Sequence, residues 1–342
     1  MDITEYKSRL KSGDLSGIYL FCGEEDYLVR YYLGELRKAL DLDPSLAVFN
    51  NPVFEGEEVD FGELTEAVKS PPMMADYKLI EWRHADFAAM SEKELEALSD
   101  LIDLAADYPY SILAFTAEGE RVDFGTPKKP SKFVSAFGRR MNLLRFEKSN
   151  ENQLYAWLKK HFDALGVQVN MEVLRAMVFR VGKSMDTLLS EAHKLAYLVL
   201  ARGGDTVTPE DVADVCQSTT ESDTFALSNA ITDRSKPAAY TALDDLKFRR
   251  VDPTVIFAMI ARTFDDILAV AMLLEEGESL QSVEQILKMN SYKLKIYAAA
   301  AKKYSARALA DIVSELARAD ADSKYGGVTG YTAIELFISR NL

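Results

Sequence analysis

The chain has 342 residues, of which 48% are hydrophobic and 27% charged, so it is long enough for two or three domains of ordinary globular composition. Its 40 basic and 54 acidic side chains give a formal net charge of −14, which argues against a cationic nucleic-acid coat protein, because phosphate binding needs a basic face. Two cysteines cannot form a disulfide framework, and three separated histidines leave little material for a histidine metal site. The apolar runs are too short to span a membrane. We therefore expect a cytoplasmic protein without a cofactor, a metal or a membrane partner.

The first 147 residues alternate short β-rich apolar runs with segments of helical periodicity. The predicted strands cover 17–22, 77–82, 111–116 and 142–146. The predicted helices cover 27–40, 64–70 and 91–106, the last of them opened by a capping box. Strands that alternate with helices indicate a parallel α/β sheet.

The turn after the first predicted strand stands where an α/β nucleotide-binding domain holds its phosphate loop. Such a loop needs glycines that free backbone N–H groups, and a lysine for the terminal phosphates. Here Gly23 is followed by Glu24, Glu25 and Asp26, and the turn has no lysine. Carboxylates suit the positive end of a helix dipole but repel a triphosphate. The sequence therefore predicts the sheet topology without the catalytic loop.

An apolar pair follows the helix predicted over 64–70. Pro71 and Pro72 stop that helix, and Met73 and Met74 come directly after them. On apolar character alone, the two methionines would cap the core beneath the sheet. In the alternative interpretation they form a docking wedge for an apolar pocket of a partner, since burying each would contribute about 1.5–3 kcal/mol.

Two windows reverse the acidic balance of the chain. Residues 1–150 carry 28 acidic and 18 basic side chains, yet six basic residues and no acidic one lie between Asp123 and Glu147. Six more lie between Glu284 and Asp311, together with Tyr292, Tyr297 and Tyr304. On charge alone a solvated helix face is the simpler interpretation. Basic residues interleaved with aromatics also suit local contact with nucleic acid, and we expect Lys293, Lys302 and Lys303 to contact phosphates.

After residue 148 the sequence predicts only helices. A small helical domain over 148–217 contains predicted helices at 150–165, 170–181 and 185–200 and another that opens at Pro209. A second helical domain, 218–342, contains predicted helices at 225–232, 238–248, 253–274, 282–289, 292–303, 306–319 and 332–340. Gly182-Lys183-Ser184 resembles the end of a phosphate loop, but the pattern needs a glycine at Met177 and a preceding strand, so a helix break is the better interpretation.

Several motifs along nearly the whole chain resemble one family, the delta subunit of the bacterial DNA polymerase III clamp loader. They are Gly23-Glu24-Glu25-x-Tyr27-Leu28, Pro72-Met73-Met74 before Lys78-Leu79-Ile80, Leu188-x-x-Glu191-x-x-Lys194-Leu195-Ala196, Phe225-Ala226-Leu227-Ser228-Asn229-Ala230-Ile231, Asp252-Pro253, Arg262-x-Phe264, and Leu316-x-x-Ala319-Asp320-x-x-x-Lys324-x-Gly326. Their order and spacing carry the resemblance.

The resemblance implies a degenerate AAA+ module. It would comprise a RecA-like α/β domain without a phosphate loop over 1–147, a helical lid over 148–217 and a helical collar over 218–342. Family members bind no ATP and have no active site of their own, although they belong to a nucleotidyltransferase holoenzyme. They open the β sliding clamp for loading onto primed DNA, in a heteropentamer with delta-prime and the ATP-hydrolysing gamma or tau subunits. The resemblance also implies a cytoplasmic, nucleoid-associated replisome protein.

The resemblance also implies site residues. The hydrophobic pair of the family, commonly Leu-Phe, falls on Met73 and Met74, with Pro72 and Ser70 beside it. A collar tyrosine that can contact primer-template DNA falls on Tyr325, next to Lys324. The rival prediction is an active AAA+ ATPase with a divergent phosphate loop. The delta-prime subunit is a nearer rival, but its Ser-Arg-Cys element and its four-cysteine zinc cluster are absent from this sequence.

Overall fold

The structure is a computed structural model that describes residues 1–126, 128–325, 327–328 and 330–341. Gly326, the last residue of the final motif above, lies outside the described residues. The chain divides into two compact units, Met1–Ser149 and Asn150–Leu342. The further division of the second unit into a lid (148–217) and a collar (218–342) stays a prediction.

The first unit is built around a parallel sheet. Its strands are β1 Ile18–Gly23, β2 Val53–Glu55, β3 Lys78–Arg83, β4 Ser111–Glu118, β5 Gly125–Thr126, β6 Lys129–Pro130 and β7 Asn142–Phe146. Five of them form one sheet in the order β2-β3-β4-β1-β7, and every neighbouring pair is parallel. β5 and β6 form a separate antiparallel hairpin. The predicted RecA-like α/β class is confirmed, and each of the four predicted strands is present.

Helices cover both faces of this sheet. They are α1 Ile3–Ser12, α2 Asp26–Leu40, α3 Ala47–Asn50, α4 Phe61–Lys69, α5 Glu92–Ala106 and α6 Lys132–Phe137, with 3-10 turns at Pro44–Leu46 and Gly119–Arg121. Along β1, Tyr19 and Phe21 enter one core and Leu20 and Cys22 enter the other. Burial on both faces explains why the strand reads as a continuous apolar run in the sequence.

One carboxylate is buried inside the first unit. The Glu81 side chain on β3 has no exposed surface, and Arg37 of α2 donates from Nε to its Oε1 at 2.6 Å. Arg83 Nε donates to Oε2 at 2.8 Å and Asn51 Nδ2 to Oε1 at 3.1 Å. Burial raises the pKa of Glu81, but these hydrogen bonds and the Arg37 charge outweigh it, so the pKa lies below its ordinary value.

The second unit is helical. Its helices are α7 Glu151–Ala164, α8 Met171–Val181, α9 Met185–Ala201, α10 Pro209–Val215, α11 Thr220–Thr232, α12 Lys236–Phe248, α13 Pro253–Glu275, α14 Leu280–Leu287, α15 Ser291–Ala301, α16 Ala306–Tyr325 and α17 Gly330–Asn341. α13 is the central helix of one core, since Phe257, Ile260 and Phe264 are buried there against α11, α15, α16 and α17. Across the described helices, none combines the length and the apolar character that crossing a bilayer requires.

α16 is longer than the sequence predicts. The predicted helix ends at Ala319, whereas the observed helix continues to Tyr325. No glycine or proline occurs between 320 and 325, and Lys324 Nζ pairs with Asp320 Oδ2 at 2.6 Å, four residues earlier on the same face. Lys324 and Tyr325 therefore lie on the last helical turn and not in the loop that follows.

Candidate functional site

The Met73–Met74 pair lies in the loop between α4 and β3. Met74 is 93% exposed and Met73 is 42% exposed, so neither side chain caps the core. Met74 also has a φ of +53°, a left-handed conformation that is uncommon for a residue with a side chain. The loop therefore presents apolar surface to solvent in a backbone conformation that the surroundings must maintain.

Two buried polar side chains hold this loop in place. Asn50, with no exposed surface, donates from Nδ2 to the Met73 carbonyl at 2.8 Å, and its Oδ1 accepts from the Met73 N–H at 2.7 Å. Lys78, 1% exposed, donates from Nζ to the Ser70 carbonyl at 2.9 Å and to Ser70 Oγ at 2.6 Å. Burial lowers the pKa of Lys78. The loop is thus fixed at its start and at its apolar pair.

A second exposed apolar segment lies beside the pair. Val48 and Phe49 on α3 are 83% and 54% exposed. They line a shallow cavity of about 540 Å³ together with Pro72 and Met73. We name Val48, Phe49, Met73 and Met74 the wedge surface. Val48, Phe49 and Met73 line the same cavity, Met74 follows Met73 in the chain, and exposed apolar side chains grouped in this way mark interaction sites on soluble proteins.

Sequence reasoning missed the α3 half of the wedge surface. Val48 and Phe49 belong to a helix of four residues, too short for its periodicity to be recognised. Asn50 reaches Met73 across 23 positions of sequence. The available signal was two large apolar residues just before the Asn50-Asn51-Pro52 turn, where no core strand or helix is predicted.

Replacing Asn50 by alanine is expected to loosen the Met73 loop. The variant loses both hydrogen bonds to Met73, which we expect to cost about 1–2 kcal/mol of unfolding free energy in the first unit. Amide hydrogen exchange at Met73 should become faster, because its N–H no longer has a buried acceptor. Unchanged exchange at Met73 in the variant would show that Asn50 does not hold the loop.

The Gly23–Asp26 turn has the position of a phosphate loop but a different arrangement of its amides. The backbone N–H groups of Glu24 and Glu25 donate to the Phe146 carbonyl of β7 at 2.9 and 3.2 Å. Gly23 has a φ of +136°, and a Cβ there would lie 2.1 Å from the same oxygen. The Glu25 side chain is nearly buried, with Lys148 Nζ at 3.8 Å from its Oε1. The Phe146 carbonyl at the end of β7 therefore accepts hydrogen bonds from the backbone N–H groups that a phosphate would need.

A cavity of about 320 Å³ lies at the carboxyl edge of the sheet, where ligands of α/β proteins bind. Its cations face carboxylates of the chain itself. Arg37 and Arg83 both bind Glu81, and Arg83 Nη1 also pairs with Glu55 at 3.0 Å. This pairing neutralises two of the cations that line the cavity. Within the part of the chain that the structure describes, no three His, Cys, Asp or Glu side chains come together as a metal site would need.

Most lysines proposed for DNA contact already have an acidic neighbour in the second unit. Lys293 pairs with Asp266 at 3.3 Å, Lys303 with Asp233 at 2.5 Å, and Lys324 with Asp320 as described above. Lys302 is exposed, and among the described residues it has no ion pair. Of these lysines, Lys302 alone would meet a phosphate without exchanging a partner.

The tyrosines of the same window are buried or half-buried. Tyr297 has no exposed surface, and Tyr304 donates its hydroxyl to the Thr232 carbonyl at 2.6 Å. Tyr292 packs against Phe179, with ring centroids 5.5 Å apart. The rings of this window are therefore not an exposed stacking surface, and Lys293 Nζ lies 5.1 Å from the centre of the buried Tyr297 ring. Tyr325, by contrast, is 89% exposed.

Comparison with known proteins finds one family in both units. The family model described as "DNA polymerase III, delta subunit" matches residues 19–126, and that of its C-terminal domain matches residues 221–341. The DNA polymerase III subunit delta of Bacillus subtilis is 22% identical over 334 residues, which cover 96% of this chain and 94% of that protein. The probable DNA polymerase III subunit delta of Aquifex aeolicus is 23% identical over 317 residues, 90% of this chain and 86% of that protein.

A solved structure shares the architecture. The Bacillus subtilis DNA clamp loader delta protein superposes with a TM-score of 0.56 at 20% identity, over 99% of this chain and 98% of that one. This similarity concerns the fold, a parallel α/β domain followed by helices, which is the AAA+-like architecture predicted from the sequence.

Proposed function

Because the chain belongs to the DNA polymerase III delta subunit family, we propose that it binds the β sliding clamp through the wedge surface and opens the ring for loading onto primed DNA. The observation that carries this proposal is the exposed Met73–Met74 pair, held by Asn50 in a loop next to exposed Phe49. Such a pair has little reason to face water in a protein that works alone.

Clamp opening requires that the wedge surface bind one state of the ring better than the other. A ligand shifts a conformational equilibrium only by its differential affinity for the two states. The bonds from Asn50 and Lys78 fix the loop before binding, so less entropy is lost when it enters an apolar pocket. Flexible methionine side chains can then adapt to the pocket as its walls move.

We also propose that the chain is an adaptor without an active site of its own. The amides of Glu24 and Glu25 are bonded to β7, and the turn carries carboxylates in place of the lysine of a phosphate loop. ATP hydrolysis by the gamma or tau subunits, in a heteropentamer completed by delta-prime, would control when the wedge surface is accessible. In this assembly the protein is a cytoplasmic component of the nucleoid-associated replisome.

Calorimetric titration of the full chain with ATP and magnesium is expected to show no saturable heat up to about 1 mM ATP. The physical reason is that no free amide cradle faces the triphosphate, while Glu24, Glu25 and Asp26 repel it. Micromolar binding would instead support the rival function, an active AAA+ ATPase with a divergent phosphate loop.

The second unit is proposed to face DNA inside the assembly. Tyr325 is exposed on the last turn of α16, where its ring could stack on a base, and Lys324 lies beside it. Lys302 would contact a phosphate directly, while Lys293 and Lys303 would first leave Asp266 and Asp233. The direct test of the whole proposal is capture of the cognate clamp by the full chain, with the wedge variants described in the Discussion.

A further inference from the structure

The basic window between Asp123 and Glu147 spans the β5–β6 hairpin, α6, the turn after α6 and β7, outside the wedge surface. Two of its six cations have structural partners. Arg140 Nη1 donates to Ser99 Oγ at 2.8 Å and its Nη2 pairs with Asp103. The Arg145 guanidinium lies 4.7 Å from the centre of the Phe124 ring and pairs with Glu147.

The other four cations are solvent-exposed. Lys128, Lys129, Lys132 and Arg139 are all exposed, and none has an ion pair among the residues that the structure describes. This contrasts with the second unit, where Lys293, Lys303 and Lys324 are paired. The four cations lie within 12 positions of the chain, in a unit that is otherwise acidic, so they suit a negatively charged partner.

Local contacts hold the backbone of the hairpin. Asp123 accepts from the Gly125 N–H at 2.8 Å, so this nearest carboxylate caps the turn. Gly125 has a φ of +64°, and a Cβ there would lie 2.5 Å from the Lys129 carbonyl, which shows how tightly the two strands approach. Ser131 then caps α6 by accepting from the Val134 N–H at 3.1 Å.

We propose that Lys128, Lys129, Lys132 and Arg139 form a contact site for the phosphate backbone of nucleic acid. The group is polar throughout: Phe133 and Phe137 of α6 are buried, and Phe124 is half-buried beneath Arg145. A protein partner would need a desolvated apolar or aromatic anchor, which this patch lacks. A phosphate backbone needs only cations and is bound without regard to sequence.

The site lies in the first unit and is independent of the collar residues and of the wedge surface. The test measures binding of a duplex oligonucleotide by the full chain, by fluorescence anisotropy at a series of salt concentrations. Replacing Lys128, Lys129 and Lys132 by glutamine is expected to weaken binding at least about tenfold at 0.1 M salt and to flatten the log–log salt slope by about 2.7. Two unrelated duplex sequences should respond alike.

The matched control is K11Q/K93Q/K160Q, which removes three equally exposed lysines elsewhere and should leave the slope nearly unchanged. Capture of the clamp should survive in both variants, so failure of this site is distinguishable from failure of the wedge. The proposal is overturned if the wild-type chain does not bind the duplex, or if the hairpin variant keeps the wild-type slope. It is also overturned if that variant loses clamp capture with unchanged DNA binding, which would assign the patch to an acidic protein surface.

Discussion

Replacing Met73 and Met74 together by alanine is expected to weaken binding to the sliding clamp by about 100-fold, because about 3 kcal/mol of apolar burial is lost from two anchors. The melting temperature should change little, since Met74 is 93% exposed and Met73 is 42% exposed. Surface plasmon resonance with immobilised clamp measures the affinity, and calorimetry measures the melting temperature of the same preparation.

Two further variants sharpen this experiment. M171A/M272A removes two other half-exposed methionines, at 45% and 49% exposure, and should leave clamp affinity unchanged. Phe49→Ala tests the α3 half of the wedge surface and should cost about tenfold in affinity if the ring enters the same pocket. A large fall in melting temperature for the Met73/Met74 variant, or full clamp affinity, would contradict the wedge assignment.

Replacing Glu81 by glutamine is expected to lower the unfolding free energy of the first unit by about 3 kcal/mol at pH 7, because Arg37 and Arg83 lose their buried counter-charge. The chain has two tryptophans, and Trp82 lies next to Glu81 in the buried part of β3. In a Trp157→Phe background, denaturant unfolding followed by tryptophan fluorescence therefore reports on this unit alone. Because the chain has two compact units, its unfolding need not be a single two-state transition, so a fluorescence signal from the first unit is preferable to one from the whole chain.

The effect of Glu81 should depend on pH in a defined direction. Its pKa is lowered in the folded state, so its stabilisation is present above the unfolded value of about 4.3 and is lost as pH falls through the folded pKa. The difference between wild type and Glu81→Gln should be constant from neutral pH to about pH 5 and shrink below about pH 4. The exposed Glu63→Gln serves as the control, and a difference that grows on acidification would refute the assignment.

The main strands could be predicted because they are buried on both faces, as the cores on either side of β1 show. β2 and the β5–β6 hairpin were not predicted, since strands of three and two residues carry no recognisable period. Met73 and Met74 were identified because two prolines isolate them from any element. The hydrogen bond from Asn50 to Met73 could not be predicted, because a bond between distant positions of the chain leaves no local sequence pattern.

The second basic window, between Glu284 and Asp311, shows what composition alone does not predict. Composition identified its lysines and tyrosines together, but the structure buries Tyr297 and pairs Lys293 with Asp266. The composition of a segment gives its residue types, but the direction of each side chain depends on the helix that the segment forms. In the first window Lys128, Lys129, Lys132 and Arg139 stay exposed, whereas Arg140 binds Ser99 and Arg145 packs on Phe124.

The bond between the Gly23 turn and β7 makes the closed site difficult to reverse in evolution. A lysine introduced at Asp26 would add a charge but no free amides, since those of Glu24 and Glu25 remain bonded to Phe146. Any side chain at position 23 would collide with that carbonyl, and the φ of +136° also disfavours every residue but glycine there. Freeing these amides for a nucleotide would require the turn to move away from the Phe146 carbonyl at the end of β7. The closed turn therefore supports the proposal that this chain leaves nucleotide hydrolysis to other subunits.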